Sequence, residues 1–280
     1  MTAAQPGEVL RRGRLEHPRY SAPPFIKLSC AAHVAGAGAL IVEPSVWPWV
    51  AGGVLLNHGL ISVAGLLPCS QLLGENWTRL PGPAIARREV AITLDDGPDP
   101  AVTPRVLDLL ERHEARASFF VIARHAAAHP ALVRAMVERG HSVENHSYRH
   151  PAAFSLYGPR RFRAEIERAQ QTLTELTGVP PRFFRPPAGL RNVLMYPVLA
   201  SLGLTHVSWS RRGLDALGRS PGPVVRRLTA GLAAGDILML HDGNPHGPAP
   251  RALVLEVLPR VLARIRDTGM KAVSLTHAAA

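Results

Sequence analysis

The stretch Ala91–Pro100, AITLDDGPDP, decides how the rest of the chain is read. The run Val90-Ala91-Ile92-Thr93-Leu94 has the composition of a buried strand. It ends in two adjacent carboxylates, Asp95 and Asp96, followed by Gly97 and Pro98. Like charges at that spacing repel, and one carboxyl is driven toward protonation unless a cation stands beside it. The pair therefore predicts a metal ion or a nearby Arg, with the partners supplied elsewhere in the chain. Gly97 is expected to turn the backbone and Pro98 to stop the strand.

The pattern repeats downstream. Candidate strands are Glu89–Leu94, Ser118–Ile122, His141–Asn145, Arg182–Arg185, Thr205–Trp209, Asp236–Leu240 and Lys271–Leu275. Helical patterns lie between them at Pro104–Glu114, Pro130–Arg139, Pro159–Thr177, Val224–Ala233 and Arg251–Asp267. Several open with Pro in the first turn, and Gly140 and Gly178 stand where a left-handed cap is wanted. Alternation of this kind predicts an α/β fold with a parallel sheet closed into a barrel.

In α/β barrels functional residues collect at the C-terminal strand ends. Here those ends carry Asp95 and Asp96, then NHSYRH with His146 and His150, then FRPPAG with Arg185 and Gly189. SWSRRGLD follows with Asp215, and LMLHDG with His241 and Asp242. His146 and His150 are spaced i, i+4, so one helical turn would aim both rings the same way. With one carboxylate they make a three-ligand site with an open position. Zn²⁺ suits such a donor set best, with Co²⁺, Fe²⁺, Ni²⁺ and Mn²⁺ as alternatives. One Asp would ligate the ion. The other would stay ionised, held by the cation and by Arg185, and would act as general base toward a water that the ion activates. His125, His129 and His246 lack such company and read as surface residues.

TLDDGPD, HSYRH, FRPPAG, GLD and LHDG, in this order, resemble the polysaccharide deacetylase family, the NodB-homology or carbohydrate esterase family 4 domain. The resemblance covers Arg88 to Thr276. It implies a distorted (β/α)₇ barrel and metal-dependent hydrolysis of N-acetyl groups from amino sugars. It implies Asp95 as base, Asp96, His146 and His150 as metal ligands, Arg185 as holder of the base and His241 as general acid. Asp215 falls where the family orients the Arg and the acid His. Pro187, Ala188 and Gly189 fall at the substrate-binding turn, with a backbone N–H near Ala188 as oxyanion donor. Leu94 replaces a Phe, and Ala188 and Ala216 stand where aromatics are common. Arg212 occupies an Asp position. Without those aromatics the case for a long glycan weakens, and Arg211 and Arg212 suit the phosphate of a lipid-linked sugar, or a solvated loop.

Ahead of this domain the sequence divides into a basic flexible segment (1–24), two apolar stretches (25–69) and a linker (70–87), leaving 88–280 as the deacetylase-like domain. The apolar stretches, Phe25–Val42 and Val46–Leu67, break at Glu43-Pro44-Ser45. Each approaches the ~20 residues that cross a bilayer. A transmembrane hairpin is expected. Lys and Arg flank it on both sides and are absent from its turn, which places both ends and the catalytic domain on the cytoplasmic face of the inner membrane. The net charge of +11 comes without a nucleic-acid motif, so no nucleic-acid partner is expected. Cys30 and Cys69 match no metal or redox spacing and read as apolar filler. The expected partners are membrane lipids and an N-acylated amino sugar, glycan or lipid-linked sugar. Two alternatives accompany the hydrolase: a deacetylase or deformylase of a polyprenyl-phosphate-linked sugar, and an inactive sugar-binding protein.

Overall fold

The computed structural model describes residues 20–218, 220–244 and 252–280. Arg11, Arg12, Arg14, Arg19, His246 and Arg251 lie outside the described residues. The strands are β1 (Glu89–Asp95), β2 (Ala117–Val121), β3 (Ser142–Asn145), β4 (Phe183–Phe184), β5 (Thr205–His206), β6 (Arg211–Arg212), β7 (Ile237–His241) and β8 (Lys271–Val273). They pair in parallel in the order β5-β4-β3-β2-β1-β7-β6, with β8 on the start of β1. β1 lies at the centre and is buried along its whole length, which is why its sequence is a continuous apolar run rather than an alternating one. Helices cover the outside. Pro159–Thr177 turns Phe162, Ile166, Ala169 and Leu173 inward at helical spacing and ends on left-handed Gly178 (φ 72°).

The sheet curls into a distorted barrel, but its edges β5 and β6 do not pair with each other. The chain ahead of β1 fills the gap. Trp77 N–H donates to the His206 carbonyl, Ser208 N–H donates to the Trp77 carbonyl, and Leu80 N–H donates to Gly235. Leu73, Leu80 and Ala84 are buried there.

Several elements are shorter than their sequence patterns suggest, and at three of them a side chain takes backbone groups at the missing end. The Arg182 and Phe183 amides donate to Glu144 Oε2 at 3.0 and 2.9 Å, so β4 starts late. The Val207 and Ser208 carbonyls accept from Arg185, so β5 stops at His206. The Ala230 and Gly231 carbonyls accept from Arg211, and the helix before them ends at Thr229. The strand β6 and the helix Ala123–Ala128 were not anticipated by the sequence pattern.

At the N-terminal side, α1 (Pro24–Val42) and α2 (Trp47–Leu66) form an antiparallel hairpin joined by a 3₁₀ turn, Pro44–Val46. Both are long and apolar enough to cross a membrane by length and composition. Their side chains point outward: Val34, Ile41 and Leu55 are 74%, 84% and 75% exposed. Asn57 Nδ2 donates to Ser29 Oγ across the pair at 2.7 Å. The far end of α2 is fastened to the barrel. Arg191 N–H donates to the Gly65 carbonyl, and Asn76 Nδ2 and Ser208 Oγ both donate to the Pro68 carbonyl. Cys30 and Cys69 are unlinked.

A Cβ on Gly65 would fall 2.3 Å from the Arg191 carbonyl oxygen. Gly65→Ala is therefore expected to separate α2 from the barrel. Cleavage between residues 66 and 76 in limited proteolysis should accelerate several-fold. Unchanged cleavage kinetics would contradict this contact.

Candidate active site

The C-terminal ends of β1, β3, β4, β6 and β7 surround one cavity of about 330 Å³. Asp95, Asp96, His146, His150, Asp215 and His241 all line it, as do Ala188 and Gly189. Arg185 lies beneath it with no exposed surface. Pro187 is buried under the turn that presents Ala188.

Arg185 organises the floor. Its Nη1 donates to Asp95 Oδ1 at 2.6 Å and to Thr93 Oγ1 at 2.9 Å. Nε and Nη2 donate to the carbonyls of Val207 and Ser208 at 3.2 and 2.8 Å. The guanidinium carbon stands 4.1 Å from the centre of the Phe120 ring. A buried guanidinium persists only when its donors are used, and here Asp95 and Thr93 on β1 and two carbonyls just after β5 use them.

Asp96, His146 and His150 converge beside Asp95. Asp96 Oδ1 lies 3.3 Å from His146 Nε2 and 3.4 Å from His150 Nε2. His146 Nδ1 stands 2.7 Å from the Arg185 carbonyl oxygen. A carbonyl only accepts, so Nδ1 carries the proton and Nε2 of the neutral ring is an acceptor. It therefore faces a second acceptor, Asp96 Oδ1, which is buried and lacks a hydrogen bond. A cation between them removes the conflict. Two ligands ~2.0–2.1 Å from one tetrahedral ion stand about 3.3–3.4 Å apart, so the residues fit a Zn²⁺-like ion.

His141 to His150 does not supply the helical turn expected for the two imidazoles. The segment after β3 is a loop, with Ser147 and His150 at φ 66° and 54°. Asn145 Oδ1 accepts from Ser147 N–H, and Ser147 Oγ accepts from His150 N–H. These bonds set the loop, and the loop brings the ring centres within 4.9 Å. Similarly, the left-handed residue of the DDGP turn is Asp96 (φ 73°), not Gly97. Gly97 is required for space: a Cβ there would fall 2.5 Å from Asp242 Oδ2. A non-glycine residue held at positive φ in a candidate ligand position is strain of the kind found at functional sites.

Across the cavity, His241 Nδ1–H donates to Asp215 Oδ1 at 3.0 Å, and His241 N–H donates to Asp215 Oδ2 at 2.8 Å. Asp215 meets His241 and not Arg185, whose donors are engaged elsewhere. Burial alone would lower the imidazole, but Asp215 and the charges of Asp95 and Asp96 raise it to about 9. The ring is thus an acid at neutral pH. Asp242 is buried behind the DDGP turn. Its Oδ2 accepts from Thr103 Oγ1 at 2.6 Å, and burial pushes the carboxyl up to about 7.

Of the paired arginines after β5, only Arg212 reaches the cavity. Arg211 is tied to Asp236 and to the carbonyls of Ala230 and Gly231. Trp209 and Leu217 also line the site and carried no signal in sequence, because loop path alone brings them there.

A family model described as polysaccharide deacetylase matches residues 84–207. The chitooligosaccharide deacetylase of Bradyrhizobium sp. (strain ANU 289) is 36% identical over 167 residues, covering 59% of this chain and 76% of that protein. The peptidoglycan-N-acetylglucosamine deacetylase PgdA of Listeria monocytogenes is 35% identical over 159 residues. That match covers 57% of this chain and 33% of PgdA, so the chain spans about a third of that relative's length. Among solved structures, the family 4 carbohydrate esterase from Streptomyces lividans in complex with acetate aligns with a TM-score of 0.60 at 34% identity. The alignment covers 66% of this chain and 91% of that one. The chain belongs to the polysaccharide deacetylase family.

The pairing of His241 with Asp215 has a pH signature. The folded value, about 9, lies above the ordinary 6.5. The pairing therefore contributes stability that is complete below pH 6.5 and is lost as pH rises through about 9. Urea unfolding of the metal-free protein should show that loss, and Asp215→Asn should flatten the slope across this window. An unchanged slope in the variant would place the effect elsewhere.

Proposed function

We propose that this chain is a metal-dependent hydrolase that removes an N-acyl group, foremost N-acetyl, from an amino sugar in a glycan. One observation carries the reading. A carboxylate held by a buried Arg, an Asp-His-His donor set and a protonated His line the same cavity. The names of the relatives, which act on peptidoglycan N-acetylglucosamine or chitooligosaccharide, support it.

Asp96, His146 and His150 would hold the ion, with Zn²⁺ the best match to one carboxylate and two imidazoles. A divalent ion there supplies Lewis-acid polarisation and lowers the pKa of water toward ~7. Asp95 takes the proton of the water that attacks the amide carbon. Arg185 fixes the Asp95 carboxylate in place through its Nη1 hydrogen bond. His241 gives its proton to the amine nitrogen as the carbon–nitrogen bond breaks. Asp215 keeps the His241 Nδ1 proton in place, so that Nε2 is the donor. Pro187, Ala188 and Gly189 form the turn against which the acyl group rests, with the N–H near Ala188 as oxyanion donor. The products are a carboxylic acid, which ionises on release, and a free amino sugar, and the proton taken by Asp95 balances the one given by His241.

The hairpin would anchor the domain in the inner membrane. Basic residues on both flanks favour the cytoplasmic side for residues 88–280. A second reading, hydrolysis of a polyprenyl-phosphate-linked N-acyl sugar, is favoured by the attachment of α2 beside the cavity. The inactive sugar-binding alternative is disfavoured because Asp95, Asp96, His146, His150, Arg185 and His241 are all present.

Acetate release from N-acetylglucosamine oligomers tests the assignment of the base. Asp95→Asn should lower kcat by about 10³-fold or more while zinc content stays at the wild-type level. Full activity in that variant would refute Asp95 as the base.

A further inference from the structure

Arg212 is the cation on the cavity wall that the hydrolytic machinery does not use. Arg185 is consumed by Asp95, and Arg211 by Asp236. Arg212 has no carboxylate partner among the described residues. Its guanidinium carbon lies 5.2 Å from the centre of the Trp209 ring, and its buried Nε has no hydrogen-bond acceptor. A desolvated N–H of a charged group left unpaired is costly, and a ligand bearing anionic oxygens repairs it. The planar guanidinium fork suits two oxygens of a phosphate. Since Arg212 shares its cavity with Asp95 and His241, such a phosphate belongs to the molecule whose acyl group is cleaved.

The ring under Arg212 leads to the membrane hairpin. The Trp209 carbonyl accepts from Cys69 Sγ at 3.1 Å. A Cβ on Gly189 would fall 2.5 Å from the Trp209 ring and 3.1 Å from Pro68 Cβ, so the turn at Gly189 lies against both the ring and Pro68. Pro68 and Cys69 directly follow α2. Leu66 and Leu67 at its end are 62% and 55% exposed, and Leu217 on the cavity wall is 79% exposed. Cation, cavity and apolar helix end are therefore neighbours.

We propose that Arg212 binds the phosphate of a lipid-linked substrate, with the N-acylated sugar in the cavity and the lipid chain along the end of α2. This rests on the hydrolase reading above and specifies its substrate class. A sugar nucleotide offers the same phosphate chemistry from a soluble source, and the experiment separates the two.

Full-length, zinc-loaded protein in nanodiscs would be given N-acetylglucosamine in three forms: linked to polyprenyl phosphate, linked to UDP, and as the methyl glycoside. The wild type should favour the lipid phosphate over the methyl glycoside in kcat/KM. Arg212→Gln should shrink that preference by about 30-fold or more, and Arg212→Lys should restore part of it. An equal preference in wild type and Arg212→Gln would overturn the phosphate site. Equal use of the UDP and lipid forms would overturn the lipid assignment. Acetate from none of the three would count against the hydrolase reading alone. Binding then decides the site: quenching of tryptophan fluorescence by the polyprenyl phosphate sugar should saturate in Asp95→Asn and weaken by a similar factor in Asp95→Asn/Arg212→Gln. Identical curves, or no saturation, would overturn it.

Discussion

The contact between Arg185 and Asp95, 2.6 Å long and closed off from solvent, is the constraint on which the functional end of the barrel depends. Burying two charges is costly, and the cost is offset only where every remaining donor and acceptor is matched. Here the matching reaches across three strands. Thr93 on β1 accepts from the guanidinium, and the chain after β5 gives up two carbonyls to it. The main chain of the same residue serves a second purpose, because the Arg185 carbonyl fixes the tautomer of His146. One residue thus places the candidate base with its side chain and a candidate metal ligand with its carbonyl. Loss of Arg185 would disturb both at once.

The opposite wall has its own support. Asp215 binds both the ring and the backbone N–H of His241, so the imidazole is oriented and charged by one carboxylate. In the proposed reaction the two walls take opposite proton roles. The carboxylate beside Arg185 would accept, and the imidazolium beside Asp215 would donate. Separating acid from base across a cavity is what amide hydrolysis needs, since attack and departure occur on different atoms. The apolar hairpin adds position. Its attachment through Gly65, Pro68 and Cys69 falls on the two segments, after β4 and after β5, that line the cavity.

Much of this was legible in the sequence because chemistry at strand ends leaves short, dense signals. Asp95, Asp96, His146, His150, Arg185 and His241 each close a strand or follow it directly. The barrel pattern follows from periodicity, and β1, fully buried, is the plainest case. What was not legible depends on loop geometry and on contacts between distant segments. A spacing of four suggested a helical turn for His146 and His150, yet a loop pinned by Asn145 and Ser147 does the work. Gly97 invited a conformational reading, but the approach of Asp242, far along the chain, is the reason for it. The separate fates of Arg211 and Arg212 follow from a two-residue strand whose side chains face different surroundings, and no local pattern announces that.

Hydrolysis of an N-acyl amino sugar in this cavity would depend on an ion held by Asp96, His146 and His150. The most direct test follows acetate release from an N-acetylated sugar by the full-length protein as zinc is removed with chelator and then restored. Activity should be lost on removal, recover at one ion per chain, and fail to recover in Asp96→Asn. Acetate release that continues unchanged in chelator-treated, metal-free protein would contradict this dependence.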